Sequence, residues 1–283
     1  MRTLLHFLVL VCLASTAQGQ APAALATAEA QALVSRALTT ELRAAQDVSH
    51  PMRYRLRKSS PRITSTKEIV ETRDGFVARL VELNDRPLSQ TDEQKEEARL
   101  NSLLSDPSRQ QHRKQSENED TGVVLKLLRM LPKAFLYEYA GPGQSAGGPV
   151  QKFRFRPNPS FTPPDVETLA LTAMNGEVWI DPAGERVTRL EGHLEQDTDY
   201  GWGVLGKLDK GGWIVIEQAA VGQGQWRLAR FQMKMNLRIL FKNKSFDSVQ
   251  EMTGYVPVSA SMDYRQAIRL LRATPATVPQ NGR

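Results

Sequence analysis

The sequence predicts an α+β fold built around a curved antiparallel sheet. Three observations carry this prediction. Residues 230–242, RFQMKMNLRILFK, have an apolar side chain at every second position for most of their length, which is typical of a strand with one dry and one wet face. Turn residues such as PAGE, DKGG and GQGQ separate similar segments along residues 135–241. Helical periodicity is confined to the start of the chain and to residues 89–132.

The first residues have the layout of a secretory signal peptide. Arg2 supplies a positive start, residues 4–14 form a short apolar run, and Ala17 and Gly19 are the small residues of a cleavage site after Gly19. The sequence has one cysteine, Cys12, which lies within this run. We therefore expect residues 1–19 to be removed and the mature protein to be exported, periplasmic in a cell with two membranes, and free of disulfides.

The rest of the chain divides into three parts. Residues 20–48 are rich in Ala, Leu, Gln and Glu, with leucines at near-helical spacing, and predict an N-terminal helix. Residues 49–270 predict a single domain of strands joined by short turns. Residues 271–283 are expected to form a disordered tail.

A helical insertion, residues 89–132, interrupts the strands. Its central part, residues 106–122, is strongly polar and fits either an exposed helix end or a mobile loop. The apolar positions between Val123 and Leu131 recur on one helical face, and Pro132 is expected to end that helix. An insertion of this kind can act as a lid or can pack across an open sheet.

Charge does not point to a nucleic-acid partner. The formal net charge is +6, and basic runs such as RYRLRK are offset by acidic runs such as DEQKEE. We expect no nucleic-acid binding and only peripheral contact with a membrane.

The segment GQSAG, Gly143–Gly147, matches the G-x-S-x-G pattern of serine hydrolases. In that class the serine follows a strand and opens a helix, whereas GGPVQKF follows here. The composition of AGPGQSAGGP is typical of a flexible linker, and His193, the nominal base, lies in an alternating strand. A serine hydrolase is therefore kept only as a third alternative.

No metal or cofactor is indicated. Beyond the signal segment the chain has His50, His112 and His193, widely spaced and without cysteine. No glycine-rich phosphate loop precedes a helix. We expect no metal, no cofactor and no enzymatic activity.

The dry face of residues 230–242 is the main candidate for a binding site. Such a face needs cover from helices, or it encloses a cavity that an adaptable methionine-containing lining suits. Both explanations stay open. The residues of this face are Phe231, Met233, Met235, Leu237, Ile239 and Phe241; neighbouring predicted strands add Phe153, Phe155, Val178, Ile180, Leu190 and Leu194.

The order of elements resembles the LolA/LolB/RseB-like superfamily of periplasmic lipoprotein carriers. Over residues 50–265, a strand meander, a helical insertion and a run of long strands follow an N-terminal helix. The block VWIDPAGERVTRLEGHLEQDTDYGWGVLGKL carries the likeness in strand texture. The resemblance implies an unclosed β-barrel covered by helices. It also implies lipid or lipoprotein acyl chains as partners of the concave face, without covalent chemistry.

Two function classes follow. The first is an exported binding protein that shields a lipid or the acyl chains of a lipoprotein. The second is a protein-interaction or stress-sensing module of the cell envelope, with the same fold and a filled core, whose partners are envelope proteins.

Overall fold

The computed structural model describes residues 27–165, 167–200, 206–239 and 242–273. The predicted signal peptide and Phe241 lie outside these residues. The helices are α1 (Thr27–Gln46), α2 (Gln90–Ser105), α3 (Pro107–Ala134) and α4 (Tyr264–Ala273). The strands are β1 (Met52–Ser59), β2 (Thr64–Val70), β3 (Val77–Leu83), β4 (Arg86–Pro87), β5 (Phe135–Ser145), β6 (Gly148–Pro157), β7 (Met174–Asp181), β8 (Arg186–Leu194), β9 (Thr198–Tyr200), β10 (Gly206–Leu208), β11 (Trp213–Ala220), β12 (Trp226–Ile239) and β13 (Lys242–Pro257), and a short 3₁₀ helix, Leu169–Thr172, precedes β7.

The strands form one antiparallel sheet. Their order is β4-β3-β2-β1-β13-β12-β11-β8-β7-β6-β5, and β10 pairs with both β12 and β9. Within the described residues the end strands β4 and β5 do not pair with each other, so the sheet does not close. The predicted α+β fold, an unclosed antiparallel barrel with helices packed on it, is confirmed.

Residues that are paired across neighbouring strands define one face of the sheet. One row of cross-strand partners runs Tyr139, Phe153, Val178, Leu190, Ile216, Phe231, Gln250, Lys58 and Ser65. Opposed residues point to the same side of a sheet. Helix α1 packs on this side, against β5 and β8, with α3 beside it. We call it the inner face and the other side the outer face.

The first core lies between α1, the last turns of α3 and the inner face of β5–β8. Ala30, Val34 and Ala37 of α1 are fully buried in it, as is Phe153 of the sheet. The pairing of Gly176 with Gly192 helps to fill this core, because the Phe155 ring and the Met174 side chain occupy the space beside these glycines.

A second core joins α2 and α4 to the β2–β3 hairpin. Val70, Val77, Leu100 and Ile268 are fully buried in it. Val70 pairs with Arg53, whose side chain points to the outer face because it is five residues from the inner-face residue Lys58. The second core therefore lies on the opposite side of the sheet from the first. Residues 271–273, placed in the tail by the sequence analysis, belong to α4, and residues 274–283 lie outside the described residues.

Helix α3 continues where the sequence analysis allowed a mobile loop. The Asp106 side chain accepts from the Ser108 N–H at its start. Gln110 and Lys114 donate to the carbonyls of Asp74 and Arg73 in the β2–β3 loop. These contacts hold the polar turns in a helix.

The expectation that Pro132 ends the helix containing Val123–Leu131 was wrong by two residues, because this helix, α3, continues through Pro132 to Ala134. Proline removes one helical hydrogen bond, and only the last turn is affected here. The Pro132 carbonyl accepts from the Gln31 side chain of α1 at 2.9 Å, which stabilises this end of the helix.

Glu117 on α3 provides a pH-dependent contact. It accepts from the Phe76 N–H at 3.0 Å, and burial raises the pKa of its carboxyl. A raised folded-state pKa contributes stability that is full below the unfolded pKa and is lost as pH rises through the folded pKa. Glu117→Gln, which imitates the protonated form, is therefore expected to raise the urea midpoint at pH 7 and to change it little at pH 4. An equal change at both pH values would contradict this.

Candidate functional site

The inner face brings the predicted site residues together. Phe153, Val178, Leu190 and Phe231 are members of the single cross-strand row described above. Met233 follows in the next row, opposite Ile214. The structure ends β12 at Ile239, and Phe241 lies outside the described residues. Alternation decides the face of each residue within its strand, and the strand order brings these residues of distant strands onto one surface.

Burial divides these residues into three groups. Five are 0–4% exposed within the first core: Phe153, Phe155, Val178, Ile180 and Leu194. Leu190, Met235 and Leu237 are partly buried at the margin of that core. A ligand could reach the first group only if α1 moved. Among the predicted residues whose side chains the structure describes, Phe231 and Met233 lie in neither core, and both are half-buried.

Phe231 and Met233 belong to a wider apolar surface. We define the open strip as five inner-face residues outside both cores: Leu56, Ile216, Phe231, Met233 and Phe246. Ile216 is paired with Phe231, and Leu56 is paired with Met252 of the adjacent strand. Phe246 is 39% exposed and the other members are half-buried. Gln250 and Ser248 of β13 lie opposite Phe231 and Met233, on the side towards Leu56. Neighbouring apolar side chains left half-exposed, as Ile216, Phe231 and Met233 are, are typical of a binding surface.

A cavity of about 350 Å³ opens at the end of β11–β13. Val221, Ala229, Met252 and Tyr255 line it, together with the Arg227 side chain. Met252 is also the cross-strand partner of Leu56 and so connects this cavity to the open strip. The volume is at the lower end of the roughly 300–1,000 Å³ found for small-molecule sites.

Three of the five strip residues were not among the predicted site residues. Leu56 was assigned to a strand, and Ile216 alternates within WIVIEQ, so their inner-face position could have been derived from the pattern. Phe246 lies in KNKSFDSVQ, where polar residues on both sides give no such signal. Their common surface depends on strand order, which alternation does not contain.

The serine pattern forms a hairpin turn, not a linker. Strands β5 and β6 pair up to Ser145 and Gly148, and the positive φ angle of Gly148 allows the turn. The Ser145 hydroxyl donates to the Gly148 carbonyl and accepts from the Gly147 N–H. His193 lies at the opposite end of the strands, in register with Trp213 and hydrogen-bonded to Glu191. This geometry lacks the nucleophile–base contact of a serine hydrolase.

Within the described residues, no group of three or more His, Cys, Asp or Glu side chains is arranged to hold a metal ion. None of the described helices is both long enough and apolar enough to cross a bilayer.

Comparison with known proteins gives little. No family model matches the sequence. No curated protein matches it either. Among solved structures, a domain described as an outer membrane lipoprotein-sorting protein domain, from Vibrio parahaemolyticus, is similar over 87% of this chain and 100% of its own. Its sequence identity is 8% and its TM-score 0.34, and a likeness of that size carries no argument about function.

Proposed function

We propose that this protein is an exported, non-enzymatic binding protein that shields a lipid or the acyl chains of a lipoprotein. The observation that supports this most is the open strip, an apolar surface on the inner face that neither core covers. Each methylene of a chain laid on such a surface contributes about 0.8 kcal/mol when it is buried. An apolar chain would lie along the open strip, and the adjacent cavity would hold one end of the ligand.

The sequence supports the same proposal independently. The order of elements resembles periplasmic lipoprotein carriers, and the first 19 residues have the layout of a signal peptide. Adaptable side chains such as Met233 suit ligands of variable shape. Binding of this kind needs no catalytic group, no metal and no cofactor, and contact with the membrane would be peripheral.

The second candidate is a module that binds envelope proteins or senses envelope stress. It is favoured by the tight packing of the first core, where α1 packs on the inner face against β5 and β8. In that case Phe153, Phe155 and their neighbours serve stability alone, and the open strip would contact a protein partner.

Lipid extraction separates these candidates. The protein is produced with its signal segment, purified without detergent and extracted with organic solvent, and the extract is analysed by lipid mass spectrometry. We expect co-purified acyl lipid, and we expect protein freed of lipid in urea and refolded to take lipid up again from vesicles. If neither sample carries lipid, the carrier function is contradicted and the interaction module is favoured.

A further inference from the structure

Two lysines lie on the inner face beside the open strip. Lys67 of β2 is the cross-strand partner of Leu56, and Lys58 of β1 is paired with Gln250, which is itself paired with Phe231. Opposed side chains on one face are about 4.5–5.5 Å apart at Cβ. The apolar strip therefore ends in a pair of ammonium groups on adjacent strands.

A third cation reaches this place from helix α3. The Arg113 guanidinium lies over the Phe76 ring, 5.3 Å from its centroid. Burial and the positive charge of Arg99 lower the pKa of Arg113, while Glu117 and Glu96 raise it. Burial and Arg99 also lower the pKa of Lys67; Glu96 raises it, and Arg113 and Lys58 lower it further. Lys67 is thus repelled by Arg113 and by Lys58. Lys67 and Arg113 are half-buried, whereas Lys58 is exposed. A bound anion would relieve this repulsion.

The nearby carboxylates are already engaged. Glu96 accepts two hydrogen bonds from Arg99, at 2.6 and 2.7 Å, and one from the Leu80 N–H. Glu117 accepts from the Phe76 N–H. Among the described residues, Lys58, Lys67 and Arg113 have no carboxylate in ion-pair contact. The four cations Lys58, Lys67, Arg99 and Arg113 outnumber the two carboxylates Glu96 and Glu117, so positive charge is in excess at this end of the strip.

From this juxtaposition we propose that the protein binds a lipid with an anionic head group. The acyl chain lies along the open strip, and Lys58, Lys67 and Arg113 contact the head group. Charge complementarity selects this occupant, since an apolar track that ends in unpaired cations matches an amphiphile with one anionic end. The inference rests on the proposed function and adds the class of lipid to it.

Oleate and oleyl alcohol test the inference, because they have the same hydrocarbon chain and differ in the charge of the head group. Each is used to displace a neutral, environment-sensitive apolar dye from the purified protein. We expect oleate to bind about tenfold more tightly than oleyl alcohol, because hydrogen bonds to charged groups add that much in a partly buried site. Lys67→Met should reduce this preference to near unity and leave the affinity for oleyl alcohol unchanged.

Two controls and a second test variant make the result specific. Lys67→Arg should retain the preference for oleate. Lys234→Met removes the same charge from the outer side of β12 and should also retain it. Arg113→Gln is the second test variant should Lys67→Met fail to fold, and it too should lose the preference.

Each contrary result has its own meaning. Equal affinities in the unmodified protein, or an undiminished preference in both Lys67→Met and Arg113→Gln, would overturn the inference while oleyl alcohol binding still supported the proposed function. If neither oleate nor oleyl alcohol displaced the bound dye, or if no dye bound, the proposed function itself would be contradicted. If acetate or inorganic phosphate reduced oleate binding at equal concentrations, the cations would form a small-anion site and the lipid assignment would be wrong.

Discussion

Replacing Glu41 with alanine is expected to destabilise the protein by about 3–5 kcal/mol, because it breaks a buried ion pair. Glu41 of α1 and Arg186 of β8 are 8% and 9% exposed, with two contacts of 2.8 and 3.0 Å. The carboxylate also accepts from the Val187 N–H and from Gln218 of β11, each at 2.9 Å. Without it the Arg186 guanidinium is left buried and unpaired. The free energy of unfolding in urea measures the loss.

The control is the second ion pair between α1 and the same hairpin. Arg36 donates to Glu185 at 2.8 Å, but the two side chains are 57% and 36% exposed. Arg36→Gln should therefore cost about 0–1 kcal/mol. A Glu41→Ala protein no less stable than Arg36→Gln would show that the attachment of α1 depends on apolar packing alone.

Gly176→Ala is expected to cost about 3 kcal/mol, at the upper end of the range for overpacking. An added Cβ would lie 1.8 Å from the Glu191 carbonyl oxygen and 2.7 Å from the Phe155 ring, so the β7–β8 pair would have to separate. The Phe155 ring is itself buried in the first core. Urea unfolding again measures the effect.

Gly122→Ala makes the same chemical change in an open place. Nothing lies within 4 Å of a Cβ built at Gly122, in the middle of α3. Alanine there should stabilise the protein by up to about 1 kcal/mol through helix propensity. Should Gly176→Ala prove as harmless as Gly122→Ala, the close approach of β7 and β8 would be refuted.

The strands that alternate in sequence are the ones that could be predicted. Residues 230–239 show the pattern because one side of β12 lies on the inner face, while Lys234, Asn236 and Arg238 on the other side are exposed. Strand β13 was not predicted, because residues 242–247 are exposed throughout and no burial constrains their side chains. Yet β13 pairs with both β12 and β1 and joins the two halves of the sheet.

Helix α4 was missed although its sequence contains the signal. Tyr264, Ala267, Ile268 and Leu271 recur at helical spacing and are all buried in the second core. The extent of cover could not be found in the same way. Phe153 and Phe231 lie in one row and have similar patterns around them, but only Phe153 is beneath α1, whose position is decided by distant contacts such as Glu41 with Arg186.

The central claim is that the open strip, and not the filled core, contacts the apolar ligand. The most direct measurement is the affinity for a neutral apolar dye in two variants of β12, each with one added charge. Met233→Lys places the charge in the strip, and Asn236→Lys places it on the exposed outer side of the same strand. We predict that Met233→Lys binds the dye at least about tenfold more weakly, with an unchanged urea midpoint, while Asn236→Lys binds normally. A folded Met233→Lys protein that binds the dye as tightly as Asn236→Lys would contradict the claim.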